Sequence, residues 1–539
     1  MLRARYIALI TLILMTVTGN AMIIKVKTLT DLKKSILVPE ATINIKKSID
    51  LGGLTIIIPE GVTVKVNAKL SNGTIEGNQT KVEVGKKGRF SDIAFDGCFN
   101  IPSITYKSFE GYSSDTELLR AMFNLSFKNI AHSFLLLEPK HIYDIEYRKL
   151  AYAHAIYEYE NVSNKTIVGN GTIINDLRSR TQIGYSSYDG VFLFSGCHNI
   201  TIDNLNYQNL NEDFVPVKDD KGNIKHEAGI ENQLGYIGSS YILLQNDCSG
   251  INVTSQIVGA RYGVKSGDYS MFWLCGDYGV KNSNFNIDAK RTGYPVAIEI
   301  GDSLNINVTS DTHHRACYLC GVSNSTIKVR AKNIMIAPFH CLLSDTHYSK
   351  GDKKNVRFKA CYNLDVDFIE LGSEIATAGD PYCVAFQTYN NEPFYGRKQP
   401  LEWHDINVRI IKEHPAPKVG LFTFSRGYAQ NANDPLSIKD VFRNITINAT
   451  DSFKTTQWAA RIRTSDVAKY ENVSFNVNAP KANIISDNAN AYSFDFSESQ
   501  VASFFYSGKA TANKGTIGKV VENKTTMKAK GHQLTNNKK

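Results

Sequence analysis

From residue 160 onward the chain repeats one short pattern. Asn or Ser is followed by alternating apolar and polar residues. It reads Asn199-Ile200-Thr201-Ile202, Ile251-Asn252-Val253-Thr254 and Phe285-Asn286-Ile287-Asp288. It continues through Leu304-Asn305-Ile306-Asn307-Val308, Ile327-Lys328-Val329-Arg330 and Leu364-Asp365-Val366-Asp367-Phe368. The last copies are Ile406-Asn407-Val408-Arg409-Ile410, Ile445-Thr446-Ile447 and Val473-Ser474-Phe475-Asn476-Val477. A period of two puts one face of a strand in a core and the other in water. The tightest spacing is read from Ile287 to Ile306 to Val329. Longer intervals are read as the same unit with inserted loops.

A second strand follows a short break in each unit, as in Val296-Ala297-Ile298, Cys317-Tyr318-Leu319, Cys341-Leu342-Leu343 and Cys383-Val384-Ala385. Two or three short strands per coil of about 20 residues are the mark of a solenoid. No such strand pair buries its apolar face alone, whereas stacked coils do. Asn at the strand starts suits tight corners, and its amide can hydrogen-bond along the stack. Asn-Gly and Asp-Gly hairpin turns are scarce here, which disfavours a sandwich or propeller of antiparallel pairs. The expected fold class is all-β: a right-handed single-stranded parallel β-helix with an N-terminal capping helix. Residues 113–130 supply that helix, with a capping box at Ser114 and Glu117 and an apolar stripe at Leu118, Leu119, Met122 and Leu125.

Together with the later Val168-Gly169-Asn170-Gly171-Thr172-Ile173, the stretch from Ser114-Asp115-Thr116 resembles the entry of pectate-lyase-like β-helix proteins. That superfamily includes polysaccharide lyases, glycoside hydrolases, epimerases and viral depolymerases. The specific match covers roughly residues 110–175. An Asp-Asp-Thr is usual where Ser114-Asp115-Thr116 stands. The resemblance implies the fold, and a secreted enzyme acting on polysaccharide by analogy.

The expected organisation is a signal peptide over 1–21, an N-terminal β cap or first coils over 22–110, a catalytic β-helix over 111–510 and a polar basic tail over 511–539. Arg3 and Arg5 precede an apolar run from Ile7 to Val17, too short to span a bilayer. Secretion or periplasmic export follows from that reading, and no transmembrane segment is expected. The net charge of +9 is concentrated at the ends: residues 514–539 carry seven lysines and one glutamate. The body therefore lacks a basic stripe, and nucleic acid is not an expected partner. Nine cysteines cannot all pair internally. Cys317-x-x-Cys320 falls in an apolar strand-like run and is read as part of a stack of small buried residues.

On a stacked-coil fold, residues distant in sequence meet about 4.8 Å apart per coil. Candidate site residues are therefore sought at equivalent points of adjacent coils. Before the second strand come Arg261-Tyr262, Arg291 with Tyr294, His313-His314-Arg315 and Phe339-His340. After it come Asp268-Tyr269, Glu299, Asp345 to Lys350, Gln387 to Asn390 and Arg426. A lyase acting on a uronic-acid polymer must neutralise the carboxylate, remove the C5 proton and protonate the C4 oxygen. His314 or His347 is the expected base, Tyr348 or Tyr389 the acid, and Arg315, Arg291 or Arg426 the carboxylate clamp. Arg261, Arg291, Tyr294, His313, Glu299, Gln387, Tyr389 and Arg426 are the expected substrate contacts. The partner is an acidic polysaccharide, for which a glycosaminoglycan would suit. No cofactor is required, although carboxylates near Asp268, Glu299 and Asp345 leave Ca2+ open. Two alternatives stand beside this reading. A glycoside hydrolase would use a carboxylate pair about 5 to 9.5 Å apart from Glu299, Asp302, Asp268 and Asp345. A non-catalytic solenoid would bind sugar through exposed tyrosines.

Overall fold

A computed structural model describes residues 22–146, 155–178, 190–210, 240–267, 279–334, 339–348, 357–373, 381–388, 399–426, 440–462, 468–495, 499–513, 516–522, 528–530 and 533–535. The chain is all-β, with α-helices only at Leu29–Ser35 and Asp115–Phe127 among these residues. Neither is long and apolar enough to cross a membrane. Two compact units are present. One comprises 1–145 with 162–172, and the other 146–161 with 173–539.

In the first unit the strands Ile23–Val26, Thr42–Ile45, Thr63–Val66 and Lys69–Val84 pair in parallel. Ile24, Ile43, Val64 and Val82 fall in one register column. The alternation read from Thr63-Val64-Lys65-Val66 is realised directly, with Val64 and Val66 buried. The longer helix starts at Ser114, whose hydroxyl accepts from the Glu117 N–H. Leu119, Met122, Phe123 and Leu125 bury its apolar side. A lysine is enclosed here too. Lys165 is buried with its ammonium donating to Ala131 O and Ser163 O, at 2.8 and 2.7 Å. Burial draws its pKa down to about 8.

The second unit contains two interleaved ladders, each strand pairing in parallel with the next but one. One ladder aligns Tyr157, Phe192, Ile242, Val264, Val296, Cys317, Cys341, Val384, Phe422 and Ala460. The other aligns Ile202, Val253, Phe285, Ile306, Ile327, Val366, Val408, Ile447 and Phe475. All of these side chains are buried, so the two columns form the core. Antiparallel pairing among the described residues is confined to Thr346–Tyr348 with Arg357–Lys359 and Lys528–Lys530 with Gln533–Thr535. The register corrects the spacing read from the sequence. Val308, not Ile306, stands opposite Ile287, and Val329 follows Val308. Slipping by two residues preserves the alternation, so the pattern alone does not distinguish the two registers.

The corners explain the recurrent asparagine. Asn199, Gly250, Asn282, Ser303, Asn324, Asn363, Asp405, Asn444 and Asn472 all have positive φ, between 50° and 64°. They start successive strands of one ladder. L-residues other than Asn, Asp and Gly adopt this conformation at a cost. The amides also run along the stack: Asn363 donates to Asn324 Oδ1 at 2.7 Å and Asn472 to Asn444 Oδ1 at 2.8 Å. Asn324→Ala should cost about 1–2 kcal/mol, chiefly through the left-handed backbone. Asn324→Gly should recover much of that loss. Urea midpoints check it, and equal losses in the two variants would refute the backbone explanation.

The eight described cysteines are all free, and Cys275 lies outside the described residues. Cys317 and Cys341 stack in register, and their mutual hydrogen bond and burial push the Cys317 thiol well above its ordinary pKa. They pack as small buried residues, as the sequence implies.

Candidate active site

Five successive rungs of one ladder carry the candidate site: Tyr262–Ser266, Tyr294–Glu299, Cys317–Cys320, Phe339–Ser344 and Tyr382–Thr388. Val264, Val296, Cys317, Cys341 and Val384 face the core. The following residue on each strand therefore lies on the other face. Lys265, Ala297, Tyr318, Leu342 and Ala385 form that column. Tyr262 pairs with Tyr294, and Phe339 with Tyr382.

The result is a continuous stripe of rings and cations. Tyr262 and Tyr294 stack at 4.9 Å, Tyr318 packs edge-on against Tyr294 at 5.8 Å, and the His314 ring lies 5.0 Å from Tyr294. Tyr318 joins this cluster to a second one of Phe339, Leu342, Tyr382 and Ala385. The Arg261 guanidinium and the Lys265 ammonium lie 4.9 and 4.7 Å from the centre of the Tyr262 ring. Arg315 lies 4.9 Å from the centre of the Phe339 ring and 5.3 Å from that of Tyr318. Cations over aromatic faces are held by the ring quadrupole, more strongly where water is excluded.

His314 lies within the electrostatic reach of both Arg315 and Arg261. Its backbone N–H and that of Arg315 both donate to Gly293 O, at 2.9 and 3.0 Å. The imidazole is 8% exposed, and its buried Nδ1 has no hydrogen-bond partner. Burial, then the charges of Arg315 and Arg261, hold its pKa well below the ordinary value. The ring is therefore neutral at neutral pH.

The remaining expected residues divide. Arg261, His314, Arg315 and Tyr294 share the stripe. Glu299 and Gln387 belong to the next column on the same face, in register with Cys320 and Ser344. Both are half-buried, and Gln387 Oε1 is a buried acceptor with no hydrogen-bond donor. Arg291 is exposed at a left-handed corner, φ 46°. His313 turns inward, because consecutive side chains of an extended strand point to opposite sides. It is 1% exposed and bonds to other internal groups, so it is not placed to touch a ligand. The backbone of His347 and Tyr348 lies in the short antiparallel pair, and that of Arg426 ends a ladder strand. Their side chains, and all of Tyr389, Asp268 and Tyr269, lie outside the described residues. Lys265 and Tyr382 were not singled out in the sequence. Reading one residue past each core position, or aligning the strand starts, would have found them.

The carboxylates are arranged otherwise. Asp302 accepts from Ser323 and Asn324, both at 2.7 Å. Burial alone would raise its pKa, yet these bonds, Ser303 and the Lys359 charge hold it below the ordinary value. It serves the corner ladder as an ionised acceptor. Glu299 and Asp345 both lie close enough to Cys320 for their charges to add to the effect of burial on that thiol. Among the described residues no group of three or more His, Cys, Asp or Glu side chains is gathered as metal ligands would be.

Compared with known protein families and with curated protein sequences, the chain matches none.

Proposed function

We propose that the second unit is a right-handed parallel β-helix, and that its cation–aromatic stripe cleaves a uronic-acid polysaccharide by β-elimination. The observation that carries this reading is the neutral His314 imidazole flanked by two guanidinium groups on a row of stacked rings. Each part answers a demand of the chemistry. Arg315 and Arg261 offer planar donors that match a carboxylate and disperse charge developing on it as C5 loses its proton. His314 accepts that proton. The electron pair forms the C4–C5 double bond and the C4–O bond breaks. Tyr294, packed on the imidazole, supplies the proton that the departing oxygen takes. The tyrosine rings stack on sugar faces. With His314 8% and Arg261 2% exposed, substrate must displace what covers them. Exclusion of water then makes the guanidinium charges more effective. Secretion accords with this reading, since a polymer is met outside the cell.

Incubating the protein with a panel of uronic-acid polysaccharides tests it. A rise in ultraviolet absorbance from a C4–C5 unsaturated uronate is expected with at least one polymer. New reducing ends without that chromophore would overturn the lyase and favour hydrolysis at Glu299 and Asp345, the carboxylates beside Cys320.

A further inference from the structure

His313 and His314 adjoin in sequence but face opposite ways, and the His313 side leads into a network that the elimination chemistry does not use. Ser310 Oγ lies 3.0 Å from His313 Nδ1, and His313 Nε2 lies 2.8 Å from His340 Nδ1. His340 Nε2 hydrogen-bonds to Ser373 Oγ at 3.3 Å and lies 3.0 Å from Glu370 Oε2. The other carboxylate oxygen accepts from Gly372 N, Ser373 N and Ser373 Oγ, at 3.1, 2.7 and 2.6 Å. His313, His340 and Glu370 are at most 1% exposed. A second string runs parallel to the first: Asn333 N donates to Ser373 Oγ at 3.0 Å, and Asn333 Nδ2 donates to Asp311 Oδ1 at 2.7 Å. Two chains of hydrogen bonds therefore join the turn at 370–373 to the corner at 310–313.

Hydrogen-bond polarity orders the first chain. The Ser373 hydroxyl donates its proton to Glu370 Oε1, so it accepts from His340 Nε2–H. His313 is held neutral by its burial, so one of its ring nitrogens donates and the other accepts, and the bonds to Ser310 and to His340 run in one direction along the chain. Lys412 stands in register beside Glu370, and Asp451 beside Lys412. The Lys412 ammonium is itself occupied, donating to Ala416 O, Val419 O and Thr456 Oγ1.

The corner so held is strained. Thr312, a β-branched residue, adopts φ 65°. Such a conformation persists where its surroundings over-determine it. The surroundings here are the bonds of His314 N and Arg315 N to Gly293 O on one side and the buried imidazoles on the other. A buried polar chain is costly to maintain when apolar side chains would fill the same space, which points to a role beyond packing.

We propose that Glu370, His340 and His313 are positioning residues that lock the 310–315 corner and so aim His314 and Arg315 at the substrate. This rests on His314 being the base. Neither Glu370 nor His340 touches substrate. They act through the backbone on which His313 and His314 are neighbours.

The test uses the full chain with Glu370→Gln and the milder His340→Gln. Side-chain hydrogen–deuterium exchange, read by mass spectrometry, follows His314 individually, with His198 and His404 on other strands as internal references. The groups facing His314 are Arg261, Arg315 and the Tyr294 ring, and none is altered. If the relay positions His314, its titration midpoint moves in both variants while the references stay. On a polymer that the protein cleaves, kcat should fall by up to about 10²-fold with KM changed less than about twofold. An unmoved His314 midpoint with unchanged kcat overturns the inference, as does an equal shift of all three histidines in both variants. A selective His314 shift in a protein that cleaves no polymer upholds the positioning and overturns the lyase reading instead.

Discussion

Replacing His314 by glutamine should lower turnover of the cleaved polymer by about 10²–10⁴-fold, the usual worth of a positioned general base. Folding should survive, since Nδ1 makes no hydrogen bond that the substitution would break. The pH dependence follows from the environment of the ring. A base works deprotonated, and burial with the charges of Arg315 and Arg261 holds this imidazole well below its ordinary pKa of 6.5. The acid limb of kcat/KM should therefore lie below pH 6.5, where an unperturbed histidine would already have protonated. Removing a flanking charge relieves part of that depression. Arg315→Gln should move the limb upward while raising KM, because the same guanidinium holds the substrate carboxylate. Arg315→Lys keeps a charge but loses the planar fork, so it should retain the limb and still lose affinity. A His314→Gln variant that turns over at the wild-type rate, with a wild-type melting curve, would remove His314 from the chemistry.

The repeat made the architecture readable because strand alternation and left-handed corners are both written in residue type. Asn324, Asn363 and Asn444 occur where an ordinary side chain would be strained. Ile306, Ile327 and Val366 recur because each must cover its neighbour. Register was less legible. Ile306 and Val308 are equally apolar and two residues apart, and only the paired backbone shows which one meets Ile287. The site was half legible for a related reason. Arg261, Tyr294, His314 and Arg315 stood out as polar and aromatic groups at equivalent points of successive units. Sequence could not tell His313 from His314, since their roles differ only in which side of the strand each occupies. Glu370 ended a strand without any feature to set it apart from Asp365 or Asp367. Its importance lies in what it meets: a histidine thirty positions earlier, brought beside it by the ladder.

That burial also sets how the protein should respond to acid. His313 is fully enclosed. Burial first, then the nearby His340 and His314 rings, holds its pKa well below 6.5, and His314 behaves alike. In the unfolded chain both protonate near their ordinary value, so below about pH 6.5 the unfolded state binds more protons than the native one. Stability then falls as pH falls, at about 1.4 kcal/mol per pH unit for each histidine and about 2.7 for the pair. Glu370 acts in a lower window. Burial alone would raise its pKa, but His340, Ser373 and Lys412 bring it below the ordinary 4.5, so its contribution is lost only as pH drops beneath that value. Between pH 6.5 and 5 the histidines should therefore dominate. Urea denaturation across pH 7.5 to 5 should show stability changing gently near neutrality, where Lys165 completes its protonation, and declining steeply below 6.5. His313→Gln removes one of the two protonation sites, and its decline should be shallower by about 1.4 kcal/mol per pH unit. Parallel declines in the two proteins would mean that His313 is not held neutral in the native state. The positive charge would then sit on His313, and both of its ring nitrogens would donate, Nδ1 to Ser310 Oγ and Nε2 to His340 Nδ1.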